Sequence, residues 1–140
     1  DVLNSGIEIL AQPPGKNMST LSLLSGGERS MTAVALLFAT YQVKPSPFCI
    51  LDEIDAALDD RNIGYFLDVL QDFARDSQFI IITHNIHTVT GGNSMLGVSQ
   101  MEPGVSTAVG YRIASISGQP RILNDEGESV EFDEEGRRKE

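Results

Sequence analysis

The sequence predicts an α/β fold, a mostly parallel sheet with flanking helices, and three observations carry that prediction. Phe48-Cys49-Ile50-Leu51 and Phe79-Ile80-Ile81-Ile82-Thr83 are short, continuous apolar runs, as expected of strands covered on both faces. Between them, from Asp60 to Arg75, Ile63, Phe66, Leu67, Leu70, Phe73 and Ala74 recur at helical spacing with charges in between. Strand, helix and strand in that order imply a right-handed parallel crossover.

The remaining elements follow along the chain. Gly6-Ile7-Glu8-Ile9-Leu10-Ala11 alternates at roughly period two and reads as a half-buried strand, which Pro13-Pro14-Gly15 stops. Ser25 with Glu28 three residues on has the spacing of a capping box. The stretch Met31 to Phe38 behind it is apolar almost all round, so a buried helix is expected to run to about Val43, with Pro45 and Pro47 beyond. After His84 the pattern weakens: Met95 to Gln100 and Val109 to Ile116 are candidate strands. From Asp125 the chain is dominated by Asp, Glu and Gly, ending in Arg137-Arg138-Lys139-Glu140. The expected organisation is a folded part over residues 1–116 and an acidic, flexible tail over residues 117–140.

Composition bounds the function. At 140 residues and 41% hydrophobic content the chain can bury a core, which excludes a fibrous or wholly disordered protein. A formal charge of −10 argues against coating nucleic acid by bulk electrostatics. The single Cys49 excludes an internal disulfide and a cysteine-built zinc site, and inside its apolar run it reads as core packing. No apolar run approaches the ~20 residues of a membrane-spanning helix. With neither an initiator Met nor a signal-peptide pattern at its start, the chain reads as a piece of a soluble intracellular protein.

Three groups of residues can carry chemistry. Asp52-Glu53 follows a buried strand, where parallel sheets bind ligands. One carboxylate can hold Mg²⁺ and the other can orient or deprotonate an attacking water; the plainer alternative is an acidic pair capping the next helix. In Ser25-Gly26-Gly27-Glu28 the glycines let backbone N–H groups approach an anion at a helix N-terminus, or they make an ordinary turn into a capped helix. Glu28 would repel a phosphate unless it points back into the cap. His84, directly after the second apolar run, can donate to a phosphate or position water, or serve structurally. His87 has no such placement.

Taken together, these groups stand in the order and spacing of an ABC-type ATPase. The signature is Leu24-Ser25-Gly26-Gly27-Glu28, the Walker B run is Phe48 to Glu53, the D-loop is Ala57-Leu58-Asp59, and the switch residue is His84. More narrowly, the chain resembles the C-terminal half of the ATPase head of an SMC (structural maintenance of chromosomes) protein. Gln12-Pro13-Pro14-Gly15-Lys16, Leu23 to Glu28, Lys44-Pro45-Ser46-Pro47-Phe48, Ala56-Ala57-Leu58-Asp59, Gln78-Phe79-Ile80 and Glu102-Pro103-Gly104-Val105-Ser106 carry that likeness, which covers about residues 1–111. No Gly-x-x-x-x-Gly-Lys-Ser/Thr occurs, since Gly15-Lys16-Asn17 lacks both the earlier glycine and the hydroxyl. The Walker A half is therefore expected to lie elsewhere, and the chain alone to bind ATP weakly or not at all and to be inactive.

The resemblance implies roles. Asp52 would help hold Mg²⁺, possibly through water, Glu53 would polarise the water attacking the γ-phosphate, and His84 would touch that phosphate. Ser25, Gly26, Gly27 and Glu28 would meet the nucleotide of a second head, with Asp59 near the same interface, so that two heads sandwich two ATP molecules. It also implies the partners: an N-terminal half-head beyond a long coiled coil, a second head in a homodimer, a kleisin-type subunit, and DNA through the assembled complex. The cellular role would be chromosome condensation and segregation, in the cytoplasm at the nucleoid of a prokaryote or the nucleus of a eukaryote. Departures from the family pattern are Asn85-Ile86-His87 after His84, where a basic residue is usual, and Gly91-Gly92, where a helix is usual. A DNA-repair ABC ATPase head, a transporter ATPase subunit and a non-catalytic docking module of the same fold are the alternatives.

Overall fold

The computed structural model describes residues 2–132, 138 and 139, and divides into two compact units, residues 1–80 and 81–140. In the first unit, β1 (Leu10–Ala11) pairs antiparallel with β2 (Ser19–Thr20). The expected strand over residues 6–11 is therefore only its last two residues, with Ile7 almost fully exposed. Between β1 and β2 the Pro13–Lys16 turn closes with Lys16 N–H donating to Pro13 C=O at 3.1 Å. Gly15 there has φ +77°, and proline before a positive-φ glycine is the type II turn arrangement.

Helix α1 (Gly26–Val43) starts where the capping box requires and ends at Val43. Strand β3 (Phe48–Asp52) is followed by α2 (Asp60–Phe73) and β4 (Gln78–Ile82), and β4 is the hydrogen-bonded neighbour of β3. One stripe of α2 is buried at Ile63, Phe66 and Leu70, as the helical spacing predicts. Phe38 of α1 joins it: its ring stacks on Phe73 at 5.1 Å between centroids and lies 6.2 Å from both Phe66 and Phe79. Tyr41 meets Phe73 edge-on at 5.8 Å and donates its hydroxyl to Ser46 C=O. Ring pairs of this kind contribute about 0.5–1.5 kcal/mol each beyond the area they bury. The aromatic cluster thus ties α1, α2 and the start of β4 together.

Burial corrects two expectations. Helix α1 is buried only at Val34 and Phe38, while Leu36, Leu37 and Val43 are exposed. Strand β3 buries Leu51 and half-buries Cys49, yet Phe48 and Ile50 are 56% and 58% exposed. A strand expected to be covered on both faces is covered on one.

In the second unit, α3 (Ile86–Thr90) precedes four strands: β5 (Ser94–Glu102), β6 (Val105–Ile116), β7 (Gln119–Leu123) and β8 (Ser129–Val130). They pair antiparallel in that order. Two of the three sheets among the described residues are therefore antiparallel, and the mostly parallel sheet is not what this chain forms on its own. Two-residue turns are the reason. Pro103-Gly104 joins β5 to β6, and Ser117-Gly118 joins β6 to β7 with both residues at positive φ, the type I′ hairpin arrangement. The tail expected over residues 117–140 is corrected as well, because its first part supplies β7 and β8, with Ile122 and Val130 buried. Asn124 shapes the turn between them, its side-chain oxygen accepting from Glu126 N–H at 3.1 Å and Glu128 N–H at 2.8 Å. The rest of that tail, residues 133–137 and 140, lies outside the described residues.

Candidate functional site

The first unit presents two polar corners. At the N-terminus of α1, Ser25 is the N-cap and Glu28 turns back on it. Ser25 donates its amide and its hydroxyl to Glu28 Oε2, each at 3.0 Å, while Glu28 N–H donates to Ser25 Oγ at 3.4 Å. Lys16 adds its ammonium to the other carboxylate oxygen, Nζ to Oε1 at 2.7 Å. The hydrogen bond from Lys16, then those from the Ser25 amide and hydroxyl, lower the Glu28 carboxyl from the usual range to about 2. Glu28 is therefore both anionic and neutralised locally, and it points into the cap, as an anion-facing corner requires. Leu24 is buried and anchors the corner, while Ser25 and Gly26 are exposed. A Cβ at Gly26 would meet nothing, and one at Gly27 would make only ordinary contact with Asn62 Nδ2 at 3.9 Å and Ala57 C=O at 4.0 Å. Packing within the chain does not demand either glycine. Their effect is to leave the first turn of the helix uncovered toward solvent, where its amides favour an anion.

Those Gly27 distances place the corner beside the turn that enters α2. Asp59 caps α2, its Oδ1 accepting from Asn62 N–H at 2.9 Å. The cap of this helix is thus Asp59 rather than the acidic pair Asp52-Glu53. The signature stretch and the Ala57–Asp59 stretch meet in space, although some thirty residues separate them in the sequence.

The second corner is the end of β3. Asp52 closes the strand and Glu53 opens the turn, both exposed. Glu53 has φ +47°, and it and Ser117 are the described non-glycine residues at positive φ. Left-handed backbone costs a non-glycine residue about 1–2 kcal/mol. At Ser117 a hairpin turn requires it; at Glu53 a carboxylate of proposed chemical use carries it, and strain of this kind is held where the surroundings over-determine the backbone. The turn supplies that hold: Ala56 N–H donates to Glu53 C=O at 3.2 Å and Leu58 N–H to Asp55 C=O at 2.9 Å, over buried Asp55 and Leu58.

His84 belongs to the second unit, exposed, two residues past β4. The next residue caps α3: Asn85 Oδ1 accepts from His87 N–H at 2.8 Å and Thr88 N–H at 3.4 Å. Asparagine where a basic residue was expected is explained by that cap, and α3 ends at Thr90 with Gly91 as its C-cap. Among the described residues no three His, Cys, Asp or Glu side chains converge into a metal cage. Sequence reasoning missed Lys16 as part of the signature corner. The signal was present in the Pro-Pro-Gly turn, which fixes where the next residue points.

Comparison with known proteins bears on the family. The description "RecF/RecN/SMC N terminal domain" matches residues 14–107. A chromosome partition protein Smc of Halobacteriovorax marinus is 53% identical over 108 residues, 77% of this chain and 9% of the relative, so the chain spans about a tenth of the length of such proteins. A chain from a structural study of ATP-driven dimerization and DNA-stimulated activation of SMC ATPases superposes with TM-score 0.72 at 40% identity, covering 77% of this chain and 66% of that one. An Smc head bound to the C-winged helix domain of ScpA gives TM-score 0.71 at 40% identity, covering 80% and 34%. No helix among the described residues is long and apolar enough to cross a membrane. The chain belongs to the RecF/RecN/SMC family, and about three quarters of it superposes on solved SMC structures.

Proposed function

We propose that this chain is the C-terminal half of an SMC ATPase head, in which Glu53 and His84 act on the nucleotide of their own head and Ser25 to Glu28 act on that of a second head. The observation that carries the reading is the pairing of a strained, exposed Glu53 after β3 with an exposed signature corner. Glu53 would polarise the attacking water, and His84 would donate to the γ-phosphate. Ser25 and the amides of Gly26 and Gly27 would stabilise the terminal phosphate presented by the second head, with Asp59 bordering that interface. Phosphoryl transfer is mainly a matter of positioning and charge, so parts supplied across a dimer make turnover depend on assembly.

The donor set fits Mg²⁺, which is ordinarily held by one or two carboxylates with water and phosphate oxygens completing its shell. Asp52 would be that carboxylate, and the ion would neutralise phosphate charge. The phosphate loop would come from an N-terminal half-head joined through a coiled coil. The bare face of β3, with Phe48 and Ile50, suits such a completing segment, and β3 and β4 would then be parallel strands of a larger, mostly parallel sheet. A kleisin-type subunit would bind the head as ScpA binds the related one, and DNA would contact engaged heads, the acidic chain alone showing little salt-sensitive affinity for duplex. The proposed cellular role is chromosome partition at the prokaryotic nucleoid.

The test is reconstitution. Mixing the chain with its N-terminal half is expected to produce ATP turnover that neither part shows alone. Glu53→Gln should lower that turnover by about 10²–10⁴-fold, the range for removing a general base. Undiminished turnover in that variant would reject the assignment.

A further inference from the structure

Lys16 has no role in the scheme above, yet it is built into the signature corner. Its position is dictated locally. The Pro14-Gly15 turn fixes the backbone through the Lys16 N–H to Pro13 C=O bond, and Gln12 Nε2 donates to Lys16 C=O at 3.2 Å from the other side. From that braced turn the side chain spans to Glu28 Oε1 at 2.7 Å, although the two residues belong to different elements. Glu28 in turn uses Oε2 to hold both the amide and the hydroxyl of Ser25. The chain of contacts thus runs from Lys16 through Glu28 to Ser25, with each carboxylate oxygen assigned to one neighbour. The Ser25 hydroxyl proton is spent on Glu28, so the serine must release it to donate to any phosphate that arrives.

We propose that Lys16 is a positioning residue for nucleotide engagement in trans: it keeps Glu28 turned into the cap and cancels its charge, so that the signature serine can meet a triphosphate held by the second head. This rests on the reading of Ser25 as a trans contact. The physical ground is that an uncompensated carboxylate one turn from an incoming γ-phosphate repels it, whereas a carboxylate carrying an ammonium does not. The same ammonium pulls electron density from the Glu28 oxygens, which weakens their competition for the Ser25 proton. Lys16 is exposed, so its replacement is expected to leave the fold in place.

The test uses the complete head in a Glu53→Gln background and follows ATP-driven association of two heads. Lys16→Met should raise the ATP concentration for half-maximal association by about two- to fivefold, as suits one partly exposed ion pair. Binding of ATP to the head's own phosphate loop, measured at concentrations too low for association, should be unchanged. Lys16→Arg should restore association. Adding Glu28→Gln to Lys16→Met should recover part of the loss, because no uncompensated charge then remains. Association of Lys16→Met at the parental ATP concentration, or an equal shift in own-head binding, would overturn the role. Ser25→Arg is the control: if it too associates normally, the trans reading itself fails, whereas blocked Ser25→Arg with unaffected Lys16→Met removes the Lys16 role alone.

Discussion

The signature corner and the outer face of β3 differ in how complete each is within this chain. At the corner, Ser25, Glu28 and Lys16 satisfy one another, Asp59 caps the neighbouring helix, and Leu24 anchors the turn. On the strand face, Phe48 and Ile50 lie more than half exposed in a run whose apolar continuity suits burial on both sides. A polar corner can be finished by residues within a few positions, because capping and turn bonds are local. An apolar sheet face can be finished only by another layer. The difference separates what this chain completes locally from what, on the proposed reading, a further segment would complete.

That contrast can be broken most forcefully at the strand. Ile50→Lys should abolish reconstitution of turnover with the N-terminal half, while changing the stability of the isolated chain by no more than about 1 kcal/mol, the span of strand propensities. Urea unfolding of the isolated chain beside a pull-down of the two halves reads both. Equal damage to both would mean that Ile50 is buried by this chain after all. Ile63→Ala sets the scale for a residue the chain does bury fully; with no exposed surface at Ile63, the loss should be about 2–4 kcal/mol in the same unfolding assay.

The smaller effects probe the corner. Ser25→Ala removes the cap of α1 and should cost about 0.5–2 kcal/mol in the isolated chain, so it is a structural loss as well as a functional one. The smallest effect is that of pH. The folded Glu28 carboxyl titrates at about 2 against an ordinary 4.5, so its contribution is present above the unfolded value and is lost as pH falls from about 4.5 toward 2. Stability of the parent should drop across that interval by slightly more than that of Glu28→Gln. Parallel curves for the two would place the shift elsewhere.

Much of this was legible in the sequence where the determinants are local. Ser25 and Glu28 announce the start of α1, and Ile63, Phe66 and Leu70 announce the buried stripe of α2. The acid-rich composition after Asp125 masked β8, where Val130 is a single apolar residue in polar surroundings, and β7 offers only Ile122-Leu123 behind Gln119-Pro120-Arg121. The Ser117-Gly118 turn was the available signal for that hairpin. No sequence pattern marks the left-handed backbone of Glu53, which opens the hydrogen-bonded turn from Glu53 to Leu58. The exposure of Phe48 and Ile50 could not be read either, since a continuous apolar run states what a strand needs and not whether the same chain supplies it.

In the two-headed arrangement, Glu53 and Ser25 of a single chain would serve different nucleotides. Complete heads carrying Glu53→Gln and complete heads carrying Ser25→Ala should each hydrolyse ATP far more slowly than the parent. Mixed in equal amounts, they should regain roughly a quarter of the parental rate, because in a two-fold dimer half of the random pairs are mixed and each mixed pair holds one intact site. A mixture as inactive as its parts would show that both residues act on the same nucleotide, and the two-headed scheme would be wrong.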